Sequence, residues 1–575
     1  MKIRLTHVIT SVLIMFFSSV TQAQIAKRFD VVINELLPDP TPMVGLPNSE
    51  YVELKNAASF PINLRNWKLT DGSTTATISQ NYILQPDSLV IVCATSAVPS
   101  FAAFGNAIGV TGFPSLNNDA DLIWLISPEQ NIIHAVSYSV EWFNNSVKIE
   151  GGWSLEMIDP RNPCSGSSNW KASLNPKGGS PGQKNSVEAI NPDRTLPKLI
   201  RTYSLDIASI VAVFDEPVDS VSASIATKYS IDHGIGSASQ AIPIEPIFNE
   251  VRLKFYGSFS SDSVYQLRVS DVTDCAGNSI GAFNTVKTGS VSTCDSLDLV
   301  INEILFNPTS DGADYVETFN RSNKILDASK LYIASRNSSG VIVSSKKISE
   351  TPFLIFPGDF VTVTEERSLI LRKFIVKNPD MLRSMSTLPS FSDDEGEVIL
   401  QNDLGRTVDD LRYDEKWHFA LLDDKNGVSL ERIHPNKATN DPKNWTSAAS
   451  TSGFGTPTSK NSQFQNLSGG QSQVSLSSKM FSPDNDGIDD LCFINFQFNV
   501  SGYTANVSVF DINGKLVKKL VTNQTTSQNG NFRWDGMNDL GGKCSSGLYI
   551  ILTEIFDLNG NRKKYKNAIA LTRKF

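Results

Sequence analysis

Val32-Ile33-Asn34-Glu35-Leu36-Leu37 is written a second time as Val300-Ile301-Asn302-Glu303-Ile304-Leu305, and each run is followed within three residues by proline. Working outward, Glu50-Tyr51-Val52-Glu53 answers to Asp314-Tyr315-Val316-Glu317. Farther on, Tyr138 and Trp142 match Tyr413 and Trp417, Ser154-Leu155-Glu156 matches Ser429-Leu430-Glu431, and Asn169-Trp170 matches Asn444-Trp445. Lys184-Asn185-Ser186 closes one copy and Lys460-Asn461-Ser462 the other. The offset from Tyr138 to Trp170 is constant at 275 residues, so that stretch carries no net insertion. A module used twice in one chain points to a building block, since an active site is normally needed once.

The first residues, Met1-Lys2-Ile3-Arg4, precede an apolar run from Val8 to Phe17, and Thr21-Gln22-Ala23 supplies small residues suited to a signal peptidase. Residues 1–23 are therefore expected to be a cleaved secretory signal. The apolar run is shorter than the roughly 20 residues a spanning helix needs, and no later stretch is long enough, so no transmembrane segment is expected in the mature chain. Charged residues make up 19% of the 575 and the formal net charge is −9, with acids and bases interspersed. Such a balance offers no electrostatic footprint for nucleic acid or an anionic membrane, and no nucleic-acid partner is expected.

Short runs dense in Val, Ile, Leu, Tyr and Phe recur between Gly, Pro, Asn and Asp, as in Ser88-Leu89-Val90-Ile91-Val92 and Asp121-Leu122-Ile123-Trp124-Leu125. Helical periodicity is confined to Arg367 to Lys377, where Leu369, Leu371, Phe374 and Ile375 could share a face. The fold class is all-β, a multidomain chain of immunoglobulin-like β-sandwiches. Its expected divisions are 24–190, 191–296, 297–462, a Ser/Gln/Asn/Gly-rich linker at 463–473, and 474–575. In the last, Asn513-Gly514 between alternating runs signals a hairpin. Of the six cysteines, Cys275 with Cys294 and Cys492 with Cys544 are candidate pairs, although spacing alone does not fix connectivity.

Both copies resemble the lamin-tail domain, an immunoglobulin-like sandwich found in nuclear lamins and in exported bacterial proteins. The first carries the likeness in Val32-Ile33-Asn34-Glu35, Glu50-Tyr51-Val52-Glu53-Leu54 and Leu64-Arg65-Asn66-Trp67-Lys68-Leu69-Thr70-Asp71. The second is divergent: Lys330-Leu331-Tyr332-Ile333 replaces the tryptophan-containing strand and the Thr-Asp turn is missing. Between them, Ile210 to Val218 and Asp274-Cys275-Ala276-Gly277-Asn278 resemble bacterial Ig-like domains. Residues 474–575 are similar to the Ig-like domain of flagellar-hook-capping proteins and to gliding-motility C-terminal domains. Phe481-Ser482-Pro483-Asp484, Phe532-Arg533-Trp534-Asp535-Gly536 and Gly547-Leu548-Tyr549 carry that likeness. It implies export through type IX secretion machinery. None of these resemblances implies a catalytic residue.

His134, His233, His418 and His434 are scattered over three domains, and a lone histidine is normally a surface or packing residue. Asn34-Glu35, Glu50 and Glu53, echoed by Asn302-Glu303, Asp314 and Glu317, admit two readings: a metal or acid/base pair, or buried carboxylates that accept hydrogen bonds from loop amides. Asp484, Asp486, Asp489 and Asp490 around Gly487 are the candidate calcium ligands, against a turn whose aspartates bond their own backbone. No other cofactor is implied.

The sequence thus describes a non-enzymatic structural or adhesive scaffold, secreted or on the outer cell surface, with an extracellular polysaccharide or protein as ligand. The competing reading is an accessory targeting subunit of an extracellular hydrolase, or a cryptic metal-dependent hydrolase of the nuclease or phosphoesterase class.

Overall fold

The computed structural model describes residues 25–573 apart from 338, 421, 423, 466–471, 501, 558 and 559. The expected export signal at 1–23 and most of the expected linker lie outside the described residues. What is described is a multidomain all-β chain.

In the first sandwich a six-stranded sheet runs Trp170–Ala172, Leu155–Met157, Val31–Leu37, Tyr51–Asn56, Leu89–Ala94, Ala107–Val110. It faces a four-stranded sheet ordered Ile132–Ser139, Ala120–Ile126, Lys68–Thr70, Thr75–Thr77. All seven residues of Val31–Leu37 are buried, which explains their nearly continuous apolar run. One face of that strand packs in the main core with Trp67, Tyr138 and Trp170, while Leu37 joins Tyr51, Ile91 and Phe101 in a second cluster.

The second copy repeats this plan. Its six-stranded sheet runs Trp445–Ser447, Leu430–Arg432, Leu299–Leu305, Tyr315–Asn320, Phe360–Thr364, Leu382–Ser384, and ends, like the first, in a parallel pair. Leu331–Arg336, where the tryptophan motif is lost, pairs with Glu395–Asn402 just as Lys68–Thr70 pairs with Ala120–Ile126. Even an irregularity is duplicated: the register slips between Ile33 and Glu35 and again between Ile301 and Glu303. A bulge at Asn34 and at Asn302 buries consecutive polar residues instead of sending one to solvent.

Two four-stranded sheets form the sandwich between the copies, around Phe214, Tyr229, Phe255 and Tyr265. In the last sandwich a three-stranded sheet packs on a five-stranded one, and the Asn513-Gly514 hairpin joins Thr504–Asp511 to Leu516–Thr525 with Gly514 at φ 79°. The helix occupies only Arg367–Lys373. Ile370 and Phe374 are buried against Tyr315, but Leu371, one residue past Ile370 on the helix, is 39% exposed, and Ile375, beyond the extended Phe374 where the helix has ended, is 71% exposed.

Neither expected cysteine pair forms. Cys275 is bonded to Cys164, with Cα atoms 6.0 Å apart, and Cys93, Cys294, Cys492 and Cys544 are buried and unpaired. The Asp274–Asn278 turn meets the Pro163–Ser165 loop of the preceding sandwich, whereas Cys294 belongs to the core of the following one. The bond therefore ties two sandwiches whose backbone connection, residues 188–198, has no regular structure. A protease cut within 188–198 should leave the two halves joined on a non-reducing gel and separate them after reduction. Cys164→Ser should separate them without reductant, and persistence of the joined species in that variant would contradict the assignment.

Candidate functional site

The acidic pairs are the conspicuous chemistry of the sequence, and the fold places them in its interior. Glu35 is the register partner of Glu53 on one side and of Glu156 on the other, so three carboxylates stand abreast on one face of the sheet, each fully buried. Water is excluded, and every donor must come from the protein. Glu35 Oε1 accepts from Tyr51 OH (2.7 Å), Ser154 Oγ (2.6 Å) and the Ser180 N–H (2.8 Å). Glu53 accepts from Asn34 Nδ2 (3.0 Å) and the Gly182 N–H. Glu156 accepts from Ser180 Oγ (2.6 Å), Ser186 Oγ (2.7 Å) and the Val187 N–H (3.1 Å). Asn185 closes the set, accepting from Asn34 Nδ2 and donating to the carbonyls of Asn34 and Met157.

Glu303, Glu317 and Glu431 do the same in the second copy. Glu303 accepts from Tyr315 OH (2.6 Å), Ser429 Oγ (2.5 Å) and the Thr456 N–H (2.9 Å). Thr458 N–H reaches Glu317, and Ser462 Oγ and the Gln463 N–H reach Glu431 at 2.8 Å each. Asn302 and Asn461 exchange the same pair of bonds as Asn34 and Asn185. Gln463, placed in the linker by composition, is thereby 1% exposed. Glu156 and Glu431 are the members that acid-pair reasoning missed; the shared Ser-Leu-Glu motif was their only signal. Glu50, by contrast, accepts the Leu116 N–H at 3.1 Å away from this cluster.

Burial first, and then the neighbouring carboxylates, push Glu35 up to about 8, and burial pushes Glu53 up to about 7. Glu303, Glu317 and Glu431 are raised by the same desolvation. Glu35 Oε2 is buried without a hydrogen-bond partner, so all three donors to this carboxyl converge on Oε1.

The histidines are packed residues or surface residues. His134 Nδ1 accepts the Ile33 N–H at 2.9 Å and Nε2 faces the Pro163 carbonyl at 3.3 Å, so the ring is neutral, and burial lowers its pKa to about 4. In the second copy Asp409 takes the same backbone donor, Ile301 N–H, at 2.9 Å. Arg432, opposite Met157 in the repeat, then pairs with Asp409 at 3.4 Å, both side chains being almost wholly buried. His418 bonds Ser447 Oγ at 2.8 Å and lies 5.7 Å from the Phe306 ring. His434 stacks on Phe464, and His233 is exposed beside Asp232.

In the acidic turn, oxygens of Asp484, Asp486 and Asp490 lie within 4.8 Å of one another. Asp489 is outside that group: its backbone is left-handed at φ 52° and its carbonyl accepts the Ser482 N–H. Asp490 accepts the amides of Asp484, Asn485 and Gly487 at 3.1, 2.6 and 2.8 Å, and Asp486 accepts that of Ile488. A second acidic group, unmarked by spacing, joins Asp193, Glu216 and Asp274 beside the disulfide. Burial, followed by Asp193 and Asp215, raises Glu216 to about 8.

The family model of the Lamin Tail Domain matches residues 24–139. A comparison with curated proteins found no match. Among solved structures, the chain is similar to the N-terminal part of the bacterial S-layer protein SbsC, at 14% identity over 38% of this chain and 44% of that one, TM-score 0.16. It is also similar to dimeric latent PorU from Porphyromonas gingivalis, at 8% identity over 71% and 35%, TM-score 0.15. For a Ca2+-stabilized adhesin of an Antarctic bacterium the values are 9% identity over 96% and 100%, TM-score 0.12. The chain spans less than half the length of the S-layer fragment. Among the described residues no helix is long and apolar enough to cross a membrane.

A carboxyl whose folded pKa is raised stabilises the fold fully below its unfolded value, and that contribution is lost as pH rises through the folded value. For Glu35 the window runs from about 4.5 to about 8. The melting midpoint of the first sandwich should therefore fall by about 5 °C or more between pH 5 and pH 8.5, and Glu35→Gln should flatten that slope. Glu35→Ala should instead cost about 3 kcal/mol at any pH, since it strands three buried donors. A slope of the opposite sign, by calorimetry, would count against the neutral acid.

Proposed function

We propose that the chain is an exported, non-enzymatic scaffold of the bacterial surface or exterior, built from two lamin-tail sandwiches, an Ig-like spacer and a C-terminal domain read by type IX secretion machinery. The observation that carries this reading is the inward orientation of the duplicated acids. Glu35, Glu53 and Glu156 spend their oxygens holding the closing segment 180–187, and their counterparts repeat the arrangement, so the repeated motif works as a latch. Ligand contact then falls to loops and sheet edges.

Deleting residues 474–575 in a host with the secretion machinery should leave the protein in the periplasm, and normal surface display of that truncation would refute the export role. Against the hydrolase reading, mature protein should show no turnover of nucleic acid, phosphoesters or polysaccharide with calcium or magnesium present. Turnover abolished by a carboxylate substitution would instead favour the hydrolase. We assign the acidic turn to its own amides, so millimolar calcium should shift the melting midpoint by less than about 2 °C. A larger rise, lost in Asp490→Asn, would make Asp484, Asp486 and Asp490 calcium ligands.

A further inference from the structure

The middle sandwich and the second copy meet over an apolar contact in which Ile325, Leu354 and Phe356 pack with Val264 and Val291, while Arg201 donates to the Pro352 carbonyl at 2.7 Å. Beside this contact lies an open cleft of about 970 Å³. Five basic side chains line it, Arg201, Lys287, Arg367, Lys377 and Arg383, against two acids, Asp359 and Asp380. In a chain of net charge −9 this is a local inversion of sign.

The three arginines are not spent on ion pairs. Among the described residues none of them pairs with a carboxylate; Arg367 donates to the carbonyls of Leu382 and Pro379, and Arg383 sits 4.5 Å from the Phe353 ring centre. Burial, with Arg201 and then Arg367 nearby, lowers the pKa of Arg383, as crowded like charges require. Lys287 and Asp359 are 3.8 Å apart, a loose pair in which the lysine is exposed and the carboxylate largely covered. The cleft therefore holds positive charge that an anion would relieve, in a side chain whose planar fork matches a carboxylate.

The walls say what carries that anion. Arg201 lies on Leu199–Asp206, Lys287 on Thr285–Thr288 and Arg383 on Leu382–Ser384, and each of these strands is the last in its sheet. Leu199–Asp206 and Thr285–Thr288 lie against each other, with Thr202 Oγ1 bonding the Lys287 carbonyl at 3.0 Å, so the edge left for an extended peptide to add to is that of Leu382–Ser384, beside the Leu382 carbonyl that Arg367 holds. A sugar chain would want an open ring face, whereas Phe353 and Phe356 are 6% and 8% exposed and the partly buried Phe360 packs on the Phe319 ring at 4.6 Å. A long polyanion would project beyond the groove onto a surface of its own sign.

We propose that this cleft is a docking groove for a short, extended, glutamate- or aspartate-rich polypeptide segment, held by backbone pairing to an edge strand and by the arginine cluster. The groove works in this way wherever the protein resides, so its test is independent of export.

The test is fluorescence anisotropy of the full mature chain with a labelled peptide of about eight residues alternating Glu with Val or Thr. Competitors are the same peptide N-methylated at alternate residues, an oligogalacturonate of equal charge, and sulfate. Saturable binding is expected, weakened about tenfold by Arg383→Gln and about tenfold by N-methylation. Lys287→Gln with Lys377→Gln, both exposed, provides a second variant that should weaken binding severalfold without disturbing the melting transition. Equal binding of the N-methylated peptide, stronger competition by oligogalacturonate, or no saturable binding would each overturn the proposal.

Discussion

Three carboxylates in register on a sheet face that water cannot reach make the constraint around which each duplicated sandwich is arranged. Isolated, such groups would cost more than the module could tolerate, so donors must be delivered to them. They arrive on a segment that returns across the sheet some 150 residues after the first strand: Ser180, Gly182 and Ser186 in one copy, Thr456, Thr458 and Ser462 in the other. The module accordingly ends where the last glutamate is satisfied. Bulges at Asn34 and Asn302 serve the same end, placing beside the carboxylates an amide that bridges the first strand and the closing segment.

Much of this was legible in the sequence because it is periodic or repeated. Strands announced themselves by β-branched and aromatic runs bounded by turn residues and the Asn513-Gly514 hairpin by its dipeptide, while the recurrence of Glu35 and Glu53 as Glu303 and Glu317 marked them without choosing between a metal or acid/base pair and buried hydrogen-bonded carboxylates. What escaped was set by meetings between distant segments. Glu156 joins the cluster because Leu155–Met157 pairs with the first strand, and Cys275 finds Cys164 because a turn of one sandwich touches a loop of another. The helix at Arg367 was only half foreseen, since the extended backbone at Phe374 stops it and an apolar pattern does not encode that stop.

The junctions between sandwiches are specific too. A disulfide joins the first to the second, and an apolar cluster joins the second to the third. Ser450 bonds both the hydroxyl and the carbonyl of Thr525, bringing the third to the fourth. Each is small, and each adds a contact between sandwiches besides the connecting chain. Clefts between neighbours, including the cationic one, are thereby given a fixed shape, which a binding surface requires.

The exchange of His134 and Met157 for Asp409 and Arg432 has a consequence for how tandem copies avoid confusing one another. Homologous units within one chain can trade strands when they misassemble. A hybrid that combined Leu155–Met157 with the Asp409 half would seal a carboxylate in the interior without its guanidinium, and the reciprocal hybrid would entomb Arg432 beside a neutral imidazole. Either mistake leaves an uncompensated buried charge, costing several kcal/mol. Divergence at these two positions thus makes the halves of the two sandwiches electrostatically non-interchangeable.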